Sequence, residues 1–413
     1  DCSKNKILKC SLPAHNTCQI SSNHLTRKSL TMKQAWLQVC TSVLIFQYFW
    51  AAADSFSHVC YMESPMKSPD ALPFAKVDVD LCSHIIMGFA TVGNDYSVDL
   101  NPIGGYEALT FFAELRKKRP SLKLMVSVGG GGGDTNFKEM TSTESNRQRF
   151  INSTGWALRT NNIDGLDLDW EFPEVSDAAN FVSLLEEASV ELKREPLHPL
   201  LLSAAVPAPV TLVINRYHIP DISKSVDFVN LMTYDLHVYQ WYLPFVDHNS
   251  PLFPRAGELP VLNMLNLASS ANLWAELGMP RSKIMVGIPT YGLSWVLANP
   301  SNWKVGSLAT GRGKHGDGFV SFAEVCALLK AGAQREYDAE SKVPYLHEEK
   351  LWVSYDDQES VTLKALWIMS NGYGGTMTFS LNADDWQAKC GNDTFPLQKA
   401  IANTSDGSSA QGF

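Results

Sequence analysis

Basic charge, cysteine and long apolar runs are all scarce in this chain, and each shortage removes a class of function. Lys and Arg number 34 against 43 Asp and Glu, a formal net charge of −9. Six of the basic residues but one acidic residue fall within positions 1–53, so the remainder carries −14. Such a domain repels phosphate backbones, which argues against nucleic acid as a partner. No C-x-x-C pair or histidine cluster has the spacing of a metal site, so neither metal nor other cofactor is expected. The run Gly129–Gly133 lacks both the dinucleotide G-x-G-x-x-G register and a Walker lysine, which argues against a nucleotide loop. No low-complexity block or short repeat interrupts an ordinary globular composition, 45% hydrophobic and 19% charged.

The first 53 residues stand apart. Met32 and Lys33 precede the apolar stretch Leu37–Trp50, and Ala51-Ala52-Ala53 follows. This is the layout of a secretory signal over 32–53, with 1–31 expected to lie outside the mature protein. The alternative is a membrane anchor, but the stretch is shorter than the roughly 20 residues of a spanning helix and is broken by Gln38, Thr41, Ser42 and Gln47. After residue 54 four cysteines remain: Cys60, Cys82, Cys326 and Cys390. An even count behind a signal suggests two disulfides, with three pairings open. Asn152, Asn392 and Asn403 each begin an N-x-S/T sequon, which fits the secretory route. The mature protein is expected to be secreted and monomeric, with no membrane contact.

Eight short apolar runs recur: Ser57–Met62, His84–Ala90, Lys123–Val128, Ile163–Trp170, Leu200–Val206, Phe228–Tyr234, Lys283–Tyr291 and Gly374–Leu381. Runs apolar on both faces suit strands of a parallel sheet. Helical spacing falls between them, as over Tyr106–Lys118, Ser142–Thr160, Ser176–Arg194 and Leu262–Leu277. Eight β-then-α units predict a (β/α)8 barrel, with an open doubly wound sheet as the alternative. Residues 292–370 hold too much for one crossover: turns, a helical pattern over Ser321–Lys330 and a strand-like Lys350–Tyr355. A small α+β insertion after the seventh strand is expected there. The catalytic barrel is assigned to residues 54–403, with Thr404–Phe413 as a frayed tail.

The most informative segment is Asp164-Gly165-Leu166-Asp167-Leu168-Asp169-Trp170-Glu171. Side chains alternate along a strand, so Asp167, Asp169 and Glu171 share one face and Leu166, Leu168 and Trp170 the other. Three carboxylates about 7 Å apart on one face repel one another unless protons or donors offset them. Stacked acids inside a barrel therefore mark a functional site. Cleaving a glycosidic bond needs a carboxylic acid still protonated near neutral pH, and neighbouring carboxylates raise such a group. Glu171, outermost and longest, is the natural proton donor.

These residues resemble the D-G-x-D-x-D-x-E signature of glycoside hydrolase family 18, the chitinases and chitinase-like proteins. Other pieces match in order: Ser127-Val128-Gly129-Gly130, Met232-Thr233-Tyr234-Asp235, Pro289-Thr290-Tyr291-Gly292 and Gly374-Gly375-Thr376-Met377. Gly318–Cys326 and Tyr355-Asp356-Asp357 resemble the insertion domain of the animal-type branch. The resemblance implies pairing Cys60–Cys82 and Cys326–Cys390. It implies an endo-acting hydrolase of β-1,4-linked N-acetylglucosamine oligomers, chitin being the polymeric case. Glu171 would protonate the leaving oxygen. Asp169 would orient the substrate's acetamido group, the internal nucleophile, and share a proton with Asp167. Tyr234 would hydrogen-bond the acetamido oxygen, while Tyr61, Phe89, Met232, Asp235 and Tyr291 would line the sugar over Phe379. Asp164, out of phase, reads as structural.

The chain departs from the family at its aromatic platforms. Phe379, Gly131 and Pro65 stand where the family usually has Trp, Leu293 stands for Arg, and Trp241 is shifted from the usual spacing. A complete set of acids beside depleted platforms leaves two readings, an active hydrolase and a non-catalytic sugar-binding lectin on the same fold. Retention of Glu171 favours the first.

Overall fold

Eight short strands, buried almost throughout, close on themselves in the computed structural model. It describes residues 56–67, 71–314 and 316–405, within the second of two units into which the chain divides, Ser55–Phe413. The expected upstream segment 1–31 and signal 32–53 lie outside the described residues, as does 406–413. The strands are β1 (Ser57–Glu63), β2 (His84–Val92), β3 (Lys123–Gly129), β4 (Gly165–Asp169), β5 (Leu201–Pro207), β6 (Phe228–Met232), β7 (Ile284–Pro289) and β8 (Gly375–Phe379). Each pairs in parallel with the next, and β1 pairs with β8 to close the ring. This is the (β/α)8 barrel expected from the apolar runs.

Two apolar layers hold it. Val59, Tyr61, Ile86, Met125, Phe228, Met285 and Met377 fill the barrel interior. Leu166, Leu168 and Trp170 join the larger layer between strands and helices, where Trp170 stacks on Phe137 at 5.4 Å. Gly165 is required where β4 meets β5, because a Cβ there would come within 2.7 Å of the Leu201 carbonyl oxygen.

The helices follow the sequence pattern except where a cap interrupts it. Helix α1 (Gly105–Ala113) continues as a 3-10 turn to Lys117. Helix α2 (Glu144–Thr160) starts where Thr143 accepts a hydrogen bond from the Asn146 amide. The stretch Leu262–Leu277, expected as one helix, is a 3-10 turn at Leu262–Met264 and then a helix over Leu267–Glu276. Asn266 makes the break by capping the second piece through the Ser269 amide.

After β7 comes a six-stranded antiparallel sheet whose central strand, Tyr291–Leu297, pairs with Leu351–Ser354 on one side and with Ala309–Arg312 and Phe319–Ser321 on the other. Trp295, Tyr345 and Trp352 form its core. Within the 292–370 stretch the sheet ends at Ser354, and Gln358–Ser370 is a helix packed on β7 and β8. Lys364 of this helix is fully buried and paired with Asp356 at 2.7 Å. The last helix, Pro396–Ser405, includes Thr404, whose hydroxyl donates to the Ile401 carbonyl, so the tail expected to fray begins inside a helix. Both disulfides implied by the resemblance are formed, Cys60–Cys82 and Cys326–Cys390.

Candidate active site

Residues at the C-terminal ends of the strands build one mouth. Asp167, midway up β4, points inward and is fully buried. Tyr61 on β1 and Ser127 on β3 each donate to its Oδ2 at 2.7 Å. Ser203 on β5 donates to Oδ1 at 2.6 Å, and Asn230 on β6 donates to the same atom at 3.1 Å. Burial lifts this carboxyl, while the four hydrogen bonds favour its ionised form.

Asp169, one step higher, is the reverse case. It is buried, and its Oδ1 has no hydrogen-bond partner. Burial raises its carboxyl well above the ordinary range, with Glu171 and Asp167 adding to the rise. Glu171 stands at the mouth, half-buried, its carboxyl lifted to about 7 by burial first, then by Asp235 and Asp134. The carboxylates of the ladder are therefore not the main cause of the rise at Glu171.

Rings surround these acids. Phe379 lies 6.0 Å from Tyr61 and Tyr234, 6.3 Å from Phe89 and 6.2 Å from Tyr291, centroid to centroid. Met232 packs against the same inner cluster. Tyr234 donates only to the Met377 sulfur, at 3.7 Å, a weak partner that leaves the hydroxyl available. Burial keeps it protonated, as a donor. Tyr291, the first residue of the insertion sheet, donates to Asp235 Oδ1 at 2.6 Å. Asp235 itself opens onto the cleft. The structure thus brings together Tyr61, Phe89, Asp167, Asp169, Glu171, Met232, Tyr234, Asp235, Tyr291 and Phe379.

Other residues of the site carry no mark in the strand pattern. Ser203 and Asn230 read as ordinary strand residues, and Ser127 only as the start of a matching segment, until the barrel turns all three on one carboxylate. Tyr217 is buried with its hydroxyl unpartnered, and Asp169 and Glu171 both act on it. Arg312 lines a cleft of about 190 Å³ beside Asp235, together with Leu293. Leu293 is the residue that stands where the family usually has Arg, and Arg312 shares its cleft. Gly131 faces Glu171, so that a Cβ there would lie 3.9 Å from Glu171 Oε1. Trp241 is 79% exposed. Among the described residues His58, Cys60 and Cys82 bring possible metal ligands within 4.8 Å, but the two sulfurs are joined to each other and are not thiolates. No helix among the described residues is long and apolar enough to cross a membrane.

A parallel barrel with a column of inward carboxyls ending at a ring-lined mouth defines the class of a barrel glycoside hydrolase. Comparison narrows this, since residues 57–384 match Glycosyl hydrolases family 18, and the chain belongs to that family. Mouse Chitotriosidase-1 is 36% identical over 388 residues, 89% of this chain and 81% of that protein. The structure of TsES1, an immunomodulatory active chitinase from Trichuris suis, superimposes with a TM-score of 0.80 at 32% identity, covering 84% of this chain and 99% of that one. Human YKL-39, described as a pseudo-chitinase with retained chitooligosaccharide binding, superimposes with a TM-score of 0.79 at 31% identity, covering 86% and 100%.

Proposed function

We propose that this protein is a secreted hydrolase of β-1,4-linked N-acetylglucosamine oligomers. One observation carries the reading: a half-buried carboxyl at about 7, Glu171, stands two residues beyond a buried carboxyl, Asp169, with an unpartnered oxygen. The first can hold a proton for a leaving oxygen at neutral pH. The second can take the N–H of an acetamido group and aim its carbonyl oxygen at the sugar's C1. The substrate's own oxygen then serves as nucleophile, the substrate-assisted route to net retention. Burial, then Glu171 and then Asp167 raise Asp169 and so favour the proton there until substrate arrives. Tyr234 donates to the acetamido oxygen as charge develops. Tyr61, Phe89, Met232, Asp235, Tyr291 and Phe379 line the sugar. The intact disulfides support passage through an oxidising compartment.

A second reading is a sugar-binding protein without turnover, as with the pseudo-chitinase YKL-39. The thinned platforms at Gly131, Pro65 and Phe379 favour it, and the retained Glu171 opposes it. The test is turnover of a fluorogenic N-acetylglucosamine oligomer. Glu171→Gln should lower kcat by at least about 10²-fold while oligomer binding survives, because the amide keeps the shape without the proton. Asp169→Asn should be as severe, since positioning of a nucleophile supplies several kcal/mol. A silent Asp169→Asn beside a dead Glu171→Gln would sink the substrate-assisted route. Binding without turnover in the parent would establish the second reading.

A further inference from the structure

An aromatic pair stands on the outer helical layer of the barrel. Trp156 of α2 is 60% exposed and Tyr106 of α1 is 50% exposed. Their rings meet edge to face, with centroids 5.9 Å apart and planes at 83°. Together the two rings present an apolar surface, open to water, on which the C–H face of a sugar can pack.

The sequence supplies a cover one helical turn away. Asn152 is exposed on α2 and begins Asn152-Ser153-Thr154, an N-glycosylation acceptor. Residues four apart on a helix are surface neighbours. Helical side chains lean towards the N-terminus, so the Trp156 indole covers the turn from which Asn152 projects. The helix carrying Asn403, Pro396–Ser405, contains no aromatic residue.

We infer that Asn152 carries an N-linked glycan whose first N-acetylglucosamine rests on the Trp156–Tyr106 pair. The donor is a polyprenyl-pyrophosphate-linked oligosaccharide. A bond forms between Asn152 Nδ2 and the sugar's C1, the bond from C1 to the pyrophosphate oxygen breaks, and the amide proton leaves with the pyrophosphate lipid. Transfer precedes folding, because in the folded helix both Ser153 and Thr154 hydroxyls donate to the Phe150 carbonyl, at 2.9 and 2.8 Å. One face of the pyranose presents C–H groups, which pack on aromatic rings, while the hydroxyls point to water. The inference rests on secretory passage, not on the chemistry of the mouth.

The test uses the full chain secreted from insect or mammalian cells. Glycopeptide mapping should find Asn152 occupied. An endoglycosidase that leaves one N-acetylglucosamine should leave the melting temperature unchanged. Full removal, or Asn152→Gln, should lower it by about 1–3 °C. In a Trp156→Ala background that difference should vanish. Secreted protein with unmodified Asn152 would overturn the proposal, as would an equal loss on removal in Trp156→Ala. Unmodified Asn152 together with Trp156-dependent binding of free oligomers would overturn it in favour of a docked sugar chain.

Discussion

Replacing Asp235 by Asn isolates one cause of the high Glu171 carboxyl. A general acid works only while protonated, so activity falls as pH rises through its pKa. The rise at Glu171 is from 4.5 to about 7, with burial the largest contribution, Asp235 the second and Asp134 the third. As the second cause, Asp235 supplies less of the rise than burial does. It also opens onto water, which screens its charge. Asp235→Asn should therefore move the alkaline limb of kcat/KM towards acid by about half a pH unit. The Asn carbonyl can still accept from Tyr291, so the local shape survives. The assay is turnover of a soluble fluorogenic oligomer from about pH 4 to about pH 9, read as kcat/KM because that ratio reports the free enzyme. Weaker sugar binding would lower the curve without moving the limb. Asp134→Asn should move the limb in the same direction by less. A limb that stays in place, or moves towards alkali, would refute this account of the acid.

Stability should show the same chemistry in reverse. Glu171 has a raised folded-state value, so its ionisation costs nothing below about 4.5 and its full amount above about 7. Glu171→Gln removes that cost, and calorimetry should show a melting-temperature gain of about 2–5 °C at pH 8 with none near pH 4.5. Lys364→Ala strands the buried Asp356 carboxylate and should cost about 3–5 kcal/mol in urea unfolding. Lys364→Met with Asp356→Asn should recover most of it, and failure to recover would show that packing outweighs charge there.

Most of the barrel was legible because each strand is buried on both faces, and such runs stand out from helical spacing. The ladder was legible because alternation alone decides which side chains share a face. Partners across the ring were not. Nothing near Ser127, Ser203 or Asn230 in the sequence names Asp167, since only closure of the sheet brings four strands to one carboxylate. Asp134 escaped because a glycine-rich loop has no periodicity to fix where its side chains point. The expected helix over Leu262–Leu277 failed at a single residue, Asn266, whose side chain competes for the backbone amide of Ser269. The end of the seventh crossover was hard to read for the opposite reason. Gln358–Ser370 is a regular barrel helix, and only its attachment to β7 and β8 separates it from the insertion before it.

The fourfold ligation of Asp167 divides the acids by what their loss would entail. Removing Asp167 takes the acceptor from a tyrosine, two serines and an asparagine on four strands at once, and only the asparagine keeps another, the Tyr61 hydroxyl at 3.1 Å. Removing Glu171 disturbs a single half-open side chain at the rim. Loss of the side chain at position 171 would therefore leave the cleft standing, whereas loss at position 167 would unsettle the strands that build it. The inner carboxylate thus serves the barrel's architecture as much as its mouth, and the outer one serves the mouth alone.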